Sequence, residues 1–218
     1  MMASTPRKKL APKRERTKLQ IMKAALRLFA QKDAGETSIA EVTAEAEVAN
    51  GTFYNYFKTK EELLEASSFA LIESIASEVE TSMNELEDSA ERMALAGIFF
   101  FKKARMDSDW GWALIRVAAA APRMSDMLLS YPLKDLQRGI KSGKFSIESI
   151  ESALGLFVGA LHYGIRNILE GRAKDKSHDK DMMILVLRSF GVPLTSAKSL
   201  ASKGFDRAWK SEPGLSKL

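Results

Sequence analysis

Apolar side chains recur along this chain at helical spacing, and the clearest case lies near its N-terminal end. Within residues 14–31, Ile21 is followed by apolar residues three, four, seven and eight positions later. Such a stripe is typical of an amphipathic helix that buries one face, so we predict a first helix there. The alternation with a period of two that marks a half-buried strand is not found. The pattern predicts an all-α fold.

Two capping signals locate the following helices. Ser38 is followed by Glu41, and Thr59 by Glu62. In such a pair the hydroxyl accepts a backbone N–H while the carboxylate reaches back to the start of the helix. We therefore predict that a second helix begins at Ser38 and a long fourth helix after Thr59, with a short third helix between them.

The rest of the chain also has a helical pattern, interrupted by proline and glycine. Pro122 is predicted to break one helix, and Pro132 to kink or begin the next. Ser146 is predicted to begin the most apolar helix of the second half, and Gly171 to end it. A last helix is expected near the C-terminal end.

Composition narrows the classes of function. Of the 218 residues, 45% are apolar and 28% charged, which suits a soluble protein with a buried core. Disulfides, thiolate metal sites and cysteine catalysis are excluded because the chain has no cysteine. Its apolar stretches are too short to span a bilayer, and no secretory signal is visible. We therefore expect a cytoplasmic protein without a membrane partner.

Positive charge is concentrated at the N-terminal end. Residues 1–32 contain ten lysines and arginines against Glu15 alone, although the net charge of the whole chain is +5. A basic segment is either a solvated surface or a contact for a polyanion. Its position directly before two short helices favours a contact with nucleic-acid phosphates or a minor groove.

Residues 48–63 have the sequence Val-Ala-Asn-Gly-Thr-Phe-Tyr-Asn-Tyr-Phe-Lys-Thr-Lys-Glu-Glu-Leu. Together with residues 37–39 and the first helix, this segment resembles the DNA-binding half of the TetR family of bacterial transcriptional regulators. The resemblance covers about residues 14–70, beyond which the helical layout and the length agree. It implies a flexible basic arm, a helix-turn-helix domain and a larger effector-binding and dimerisation domain, at residues 1–13, 14–62 and 63–218.

The resemblance further implies that residues 50–56 form a recognition helix for the major groove of double-stranded DNA. Amide and hydroxyl groups would face base edges, the glycine would permit close approach, and tyrosines and lysines would hold phosphates. The implied DNA-binding residues are Thr37, Ser38, Asn50, Gly51, Thr52, Tyr54, Asn55, Tyr56, Lys58 and Lys60. Two alternatives stay open: the tyrosines can be packing residues, and Ser38 a helix cap alone.

Two positions depart from the family pattern. Glu47 stands in the turn where the family usually has glycine. A left-handed backbone there would cost a residue with a side chain on the order of 1 kcal/mol. Ala49 replaces the common serine cap of the recognition helix, which loses about 1 kcal/mol.

For the second half, the resemblance implies a homodimer and a pocket for a small apolar or amphipathic effector. The helix after Ser146 is apolar around much of its circumference and, with residues 182–190, could form a four-helix interface. The predicted dimer residues are Leu154, Phe157, Val158, Leu161, Ile165, Met183 and Leu187. Burial inside one protomer is the alternative.

Aromatic and methionine side chains in the middle of the sequence are typical of adaptable apolar pockets, although a plain core fits them equally well. The predicted pocket residues are Phe100, Met106, Trp110, Trp112, Arg116, Met127 and His162. For Arg116 two roles are open, namely binding a ligand carboxylate or pairing with an internal acid.

The function implied by the resemblance is a ligand-responsive repressor that acts as a homodimer on a palindromic operator. A DNA-binding scaffold that recruits a protein partner without an effector stays an alternative, and the regulation could be activation. We do not expect an enzyme, because no Gly-rich phosphate loop, paired buried carboxylates or Ser-His-Asp order is present. No cofactor or metal is expected.

Overall fold

The computed structural model describes residues 13–120 and 122–210, with their side chains except at position 74 and positions 118–128. Residues 1–12 of the basic arm lie outside the described residues. Within the described ranges the chain is helical, without strands, which confirms the all-α fold. None of these helices has the length and apolarity that crossing a membrane requires.

The α-helices are α1 (Lys13–Gln31), α2 (Ile39–Glu45), α3 (Asn50–Phe53), α4 (Lys60–Met83), α5 (Ser89–Met106), α6 (Ser108–Ala120), α7 (Pro122–Lys141), α8 (Ile150–Leu169), α9 (Ser177–Ser189) and α10 (Leu194–Lys210). One turn of 3₁₀ helix covers Ala34–Glu36.

Helix α1 buries the apolar stripe that its sequence predicted. Ile21, Ala24, Ala25 and Phe29 are at most 1% exposed, and Leu28 is half-buried. The helix packs on α2, α4 and α6. Since burying one large apolar side chain contributes roughly 1.5–3 kcal/mol, this stripe fixes how the N-terminal helices sit on the rest of the molecule.

The turn between α2 and α3 contains a left-handed residue that is not glycine. Ser38 caps α2 with both hydrogen bonds of the predicted capping box. After the helix, Glu47 has a φ of 53°. Its N–H donates to the Ala44 carbonyl, and the N–H of Val48 donates to the Thr43 carbonyl. These two bonds satisfy the last carbonyls of α2 and require the left-handed backbone between them.

Helix α3 is shorter than the resemblance implied. The recognition helix was expected over residues 50–56, but the α-helix ends at Phe53. The N–H of Tyr56 then donates to the Phe53 carbonyl, three residues earlier, in the tighter pattern that is common at helix ends. Ala49 at the N-cap contributes no side-chain hydrogen bond, so the first N–H groups of α3 lack that stabilisation.

Helix α4 connects the N-terminal helices with the second half of the chain. Thr59 caps it by accepting a hydrogen bond from the Glu62 N–H. The Glu62 carboxylate accepts from the Lys58 N–H, one residue before the position that a complete capping box requires. The helix nevertheless begins where the sequence predicted, and it buries Leu63 near its start and Met83 at its end.

Helix α5 is central to the second half and packs on α4 and on α6 through α10. It lies close to α10, where a Cβ added to Gly204 would lie 3.2 Å from the Leu95 nitrogen. Lys102 of α5 is buried, and its Nζ donates to the Ala208 carbonyl at 2.7 Å. These contacts hold α10, the last helix expected from the sequence, against the core.

Two helices of the second half begin at residues other than those the sequence predicted. Ser146 does not begin α8, because its backbone N–H donates to the Phe190 carbonyl and this bond holds it outside the helix. Ser149 is the N-cap instead, and its Oγ accepts from the Ser152 N–H. Helix α7 begins at Pro122 and continues through Pro132.

A buried ion pair holds the loop between α8 and α9. Arg105 of α5 donates to both carboxylate oxygens of Asp179, at 2.8 Å and 3.0 Å. It also donates to the carbonyls of Ala173 and Asp175 in the loop. Burial raises the pKa of the Asp179 carboxyl, and the hydrogen bonds from Arg105 oppose that shift. Each charge is therefore compensated, which a buried ion requires.

Candidate functional site

Aromatic side chains support the turn region of α2 and α3 from the inside. Phe53 and Phe57 are 0% and 1% exposed, and their ring centroids lie 5.8 Å apart. Val42 and Ala46 belong to the same buried cluster. Because these side chains point into the core, they turn the polar residues between them outward.

The outward side of this region is a polar surface. Asn50, Asn55 and Lys58 are exposed, and Gly51 has open space where a side chain would begin. Tyr54 is 58% exposed, and its ring packs edge-on against that of the preceding residue, with centroids 5.3 Å apart. Amide, hydroxyl and ammonium groups at one solvent-facing surface have the chemistry that binds phosphates and base edges.

Other residues implied as DNA contacts have partners within the protein. Thr37 is 1% exposed and its hydroxyl donates to a backbone carbonyl four residues earlier, so this residue is removed from the contact surface. The Oγ of Ser38 is used as the cap of α2. The Nζ of Lys60 donates to a carbonyl of the 3₁₀ turn at 2.8 Å. Thr52 and Tyr56 are half-buried at the edge of the surface.

Two acidic side chains near this surface are paired with cations. Glu41 accepts a hydrogen bond from the Nζ of Lys32 at 2.6 Å, and Glu45 accepts one from the Nε of Arg27 at 2.7 Å. The bonds from Lys32 and from the N–H of Ser38 lower the pKa of the Glu41 carboxyl to about 2. Exposed cations also line the start of α1: Lys13, Arg14, Arg16 and Lys18. The local charge therefore favours a polyanion.

A largely apolar cavity of about 120 Å³ lies between α4, α5, α6, α7 and α8. Its wall includes Ile72 and Val79 of α4, Phe100 of α5, Leu114 of α6 and Phe157 of α8. An apolar cavity of roughly 150 Å³ in another protein accommodates benzene. The space is therefore of the order of one six-membered ring.

One end of the cavity is polar. Arg92 of α5 donates from Nε to Oδ1 of Asp135 on α7 at 2.7 Å, and from Nη1 to the Met83 carbonyl at 3.1 Å. The two side chains of the ion pair are 11% and 8% exposed. Burial raises the pKa of the Asp135 carboxyl, although Arg92 opposes the shift. Three exposed polar residues also line the cavity: Glu80, Tyr131 and His162.

Two family models match the chain. The model described as "Bacterial regulatory proteins, tetR family" matches residues 21–67, and "Tetracyclin repressor-like, C-terminal domain" matches residues 88–203. The second match alone covers more than half of the chain. The chain belongs to the TetR family. It is accordingly a DNA-binding transcriptional regulator, with an N-terminal helix-turn-helix domain and a larger C-terminal helical domain.

Two proteins of Bacillus subtilis (strain 168) are similar to the N-terminal part of this TetR-family chain. YuxN is 47% identical over 51 residues, which are 23% of this chain and 17% of YuxN. YerO is 45% identical over 47 residues, which are 22% of this chain and 16% of YerO. Both are described as uncharacterized HTH-type transcriptional regulators. The chain therefore matches less than a fifth of the length of these curated relatives.

Solved structures extend the likeness to the whole TetR-family fold. A crystal structure of RolR in complex with resorcinol has 29% identity and a TM-score of 0.65, covering 95% of this chain and 100% of RolR. The fatty acid degradation regulator FadR from Bacillus halodurans has 24% identity and a TM-score of 0.67, covering 83% of this chain and 97% of FadR. The second likeness is one of fold alone.

Some of the residues predicted to form the pocket of this TetR-family regulator line the cavity, and others lie elsewhere. Phe100 and His162 line the cavity. Met106 is 46% exposed at the end of α5 and does not line it. Trp110 is fully buried in the core, where its Nε1 donates to a backbone carbonyl of α4 at 3.3 Å. Met127 lies outside the residues whose side chains are described.

Arg116 does not line the cavity, and it forms no ion pair with an acidic residue in the part of the chain that the structure describes. Its guanidinium lies over the Trp112 ring, 4.6 Å from the centroid, and its Nη1 donates to the Ala30 carbonyl of α1. Neither side chain lines the cavity, whereas Leu114 and Ile115, directly before Arg116, do. Arg116 therefore joins a wall of the cavity to the DNA-binding helices.

The predicted dimer residues lie largely inside the protomer. Met183 and Leu187 are fully buried in its core, while Phe157 and Ile165 are buried beside the cavity. The other three predicted residues are half-buried: Leu154, Val158 and Leu161. The reason is that α8 and α9 turn this stripe towards α5, so the alternative of burial within one protomer applies to most of the set.

A different face of α8 and α9 is exposed. Leu156 and Tyr163 of α8 are 46% and 58% exposed, and Leu185 of α9 is 67% exposed. Gly155 and Gly159 lie on the same side of α8, and open space surrounds the position of a Cβ at each. Sequence periodicity missed this face because α8 carries apolar residues on more than one side.

Proposed function

We propose that this TetR-family chain is a ligand-responsive repressor that acts as a homodimer on a palindromic operator. The observation that carries the proposal is that the helices lining the cavity also reach the DNA-binding helices. Helix α4 lines the cavity through Ile72 and Met83 and begins at Lys60, just after α3. Helix α6 lines it through Leu114 and bonds to α1 through Arg116.

The proposed organisation keeps the division made from the sequence. Residues 14–62 form the DNA-binding domain, residues 63–218 bind the effector and dimerise, and residues 1–13 are a basic arm for the phosphate backbone. The exposure of Asn50 and Asn55 supports base contacts, since an Asn amide can pair with adenine through two hydrogen bonds.

Phosphate contacts come from the flanks of the same surface. The exposed Tyr54 hydroxyl and the exposed Lys58 ammonium are suited to this role, which sets the position of the protein on DNA without reading sequence. Thr52 and Tyr56, half-buried beside them, have a smaller part of their surface available.

The homodimer forms through the exposed apolar face of α8 and α9. In a two-fold interface the same patch meets itself, and Leu156, Tyr163 and Leu185 supply large apolar side chains for that contact. The open space at Gly155 and Gly159 allows a partner helix to approach the α8 backbone closely. Two recognition helices related by this axis would match two half-sites of an operator.

The effector binds in the cavity between α4 and α8. Its volume of about 120 Å³ and its apolar wall support a molecule with roughly one ring. The likeness to RolR, which is 29% identical over nearly the whole chain and was crystallised with resorcinol, supports a small aromatic effector.

Regulation follows if the effector prefers a conformation in which the recognition helices no longer fit the operator. A ligand that displaces the walls at α4 and α6 displaces two direct connections to α1–α3. By linkage, the operator must weaken effector binding by the same factor by which the effector weakens operator binding.

The proposal is tested first by selecting binding sites from random duplex DNA with the purified full chain. We expect an inverted repeat, and we expect Asn55→Ala to weaken binding to it roughly 5- to 150-fold, with relaxed preference at one base pair. Asn84→Ala is the matched control, because Asn84 is exposed at the C-terminal end of α4. An enriched sequence without two-fold symmetry, or equal effects of the two variants, would contradict the proposal.

A further inference from the structure

The polar end of the cavity is built around an ion pair that still has hydrogen-bonding capacity. Arg92 uses Nε for Asp135 and Nη1 for the carbonyls of Met83 and Leu86. Its Nη2 group makes no hydrogen bond to any residue in the described part of the chain. A guanidinium has five N–H donors, so this group keeps donors for a ligand.

Asp135 keeps acceptor capacity in the same place. Its Oδ1 accepts from Arg92 and lies 3.7 Å from Nη1 of Arg138. Within the described ranges, its Oδ2 makes no hydrogen bond, although the residue is buried and lines the cavity. Oδ2 does not belong to the fully enclosed polar atoms that lack a partner, so it keeps contact with solvent, and a ligand that donates a hydrogen bond can replace water there.

These two groups together fit a hydroxyl. An O–H can donate to the Oδ2 of Asp135 while its lone pairs accept from the Nη2 of Arg92. The rest of the wall is apolar and includes Ile72, Phe100 and Phe157, so the remainder of the ligand has to be apolar.

A ligand carboxylate fits the same end poorly. Arginine binds a carboxylate best through two parallel N–H bonds, but Nε and Nη1 of Arg92 are already used. A second anion there would also face Asp135 and, at the opening, Glu80, so that the lining would hold one cation against three carboxylates.

We propose that the effector is a neutral molecule of about one ring that carries a hydroxyl group, and that Asp135, oriented by Arg92, determines this specificity. The inference rests on the proposed effector-binding function and names the chemical class that the cavity selects. Recognition by a charged acceptor makes a hydroxylated ligand bind more tightly than its unsubstituted analogue.

Three probes of similar size test the inference by calorimetry on the full chain: phenol, toluene and benzoate. Phenol is expected to bind roughly 10- to 100-fold more tightly than toluene, and benzoate more weakly than phenol. In Asp135→Asn the preference for phenol over toluene should fall by at least about tenfold. Toluene affinity should be retained, which shows that the cavity is still folded.

Glu73→Gln is the matched control, since Glu73 is an exposed carboxylate of α4 that does not line the cavity. It removes one carboxylate and should leave the phenol-to-toluene ratio unchanged. If Asp135→Asn unfolds, Asp135→Glu takes its place, because it keeps the charge, moves the acceptor by one methylene and should also reduce the ratio.

The possible outcomes distinguish a failure of the hydroxyl specificity from a failure of the proposed effector-binding function. Equal binding of phenol and toluene, or tightest binding of benzoate, would overturn the hydroxyl specificity and leave the effector cavity standing. Binding of none of the probes would overturn the cavity's role as an effector site, and the present inference with it.

Discussion

Replacing Glu47 by glycine is expected to stabilise the protein. Glu47 has a φ of 53°, and the hydrogen bonds that end α2 lie on either side of it, so the turn cannot relax to another backbone without losing them. The left-handed conformation costs a residue with a Cβ roughly 1–2 kcal/mol, and glycine avoids this. Glycine also loses more backbone entropy on folding, and this loss cancels part of the gain in stability. We expect a net gain of about 1 kcal/mol.

Glu47→Ala is the control that isolates the backbone effect. It removes the same negative charge but keeps a Cβ in the left-handed region. The assay is urea or thermal unfolding of the full chain at one protein concentration, because dimerisation would otherwise shift the midpoints. For a chain of this length, 1 kcal/mol corresponds to a rise in Tm of about 2–4 °C.

The two variants also separate stability from DNA binding. Both remove an acidic side chain beside the DNA-binding surface, so operator affinity at low salt should rise equally in both. Stability should rise in the glycine variant alone. Equal stability of the glycine and alanine variants would refute the conclusion that backbone strain is stored in this turn.

Two further predictions concern charged groups. Asp179→Asn should destabilise the chain by about 3 kcal/mol in urea unfolding, because it leaves Arg105 buried without its carboxylate, and a loss below about 1 kcal/mol would contradict a compensated buried pair. The pKa of Glu41 is lowered to about 2, so its carboxylate stabilises the folded state above pH 4.5 and this contribution disappears as the pH falls towards 2. The difference in Tm between the wild-type chain and Glu41→Gln should therefore shrink between pH 6 and pH 3, whereas a constant difference would be inconsistent with the lowered pKa.

Local signals were sufficient to predict most of the helices. The capping box at Ser38 formed because its partners lie three residues apart, and Lys32 bonds to the other carboxylate oxygen of Glu41 without displacing the cap. Near Ser146 the same kind of signal failed, because a hydrogen bond to Phe190, distant in sequence, holds that serine outside α8. The left-handed turn at Glu47 followed from the family resemblance and is confirmed by its φ.

The cavity could be predicted only in part. Phe100 and His162 lie on helices whose apolar character was visible, but an apolar side chain can face a cavity or a filled core equally well, as Trp110 shows. The pair of Arg92 and Asp135 joins residues 43 positions apart, so no local pattern reveals it. The signal that the sequence offered for such a buried ion pair was a charged residue inside an otherwise apolar helical stripe.

In the proposed function, occupancy of the cavity controls DNA binding. Its most direct test is the affinity of the full chain for its selected operator, measured without ligand and with the tightest cavity probe at saturation. We expect the saturating ligand to weaken operator binding by roughly 5- to 150-fold, the usual range of coupling between two sites. Unchanged operator affinity at demonstrated saturation of the cavity would contradict it.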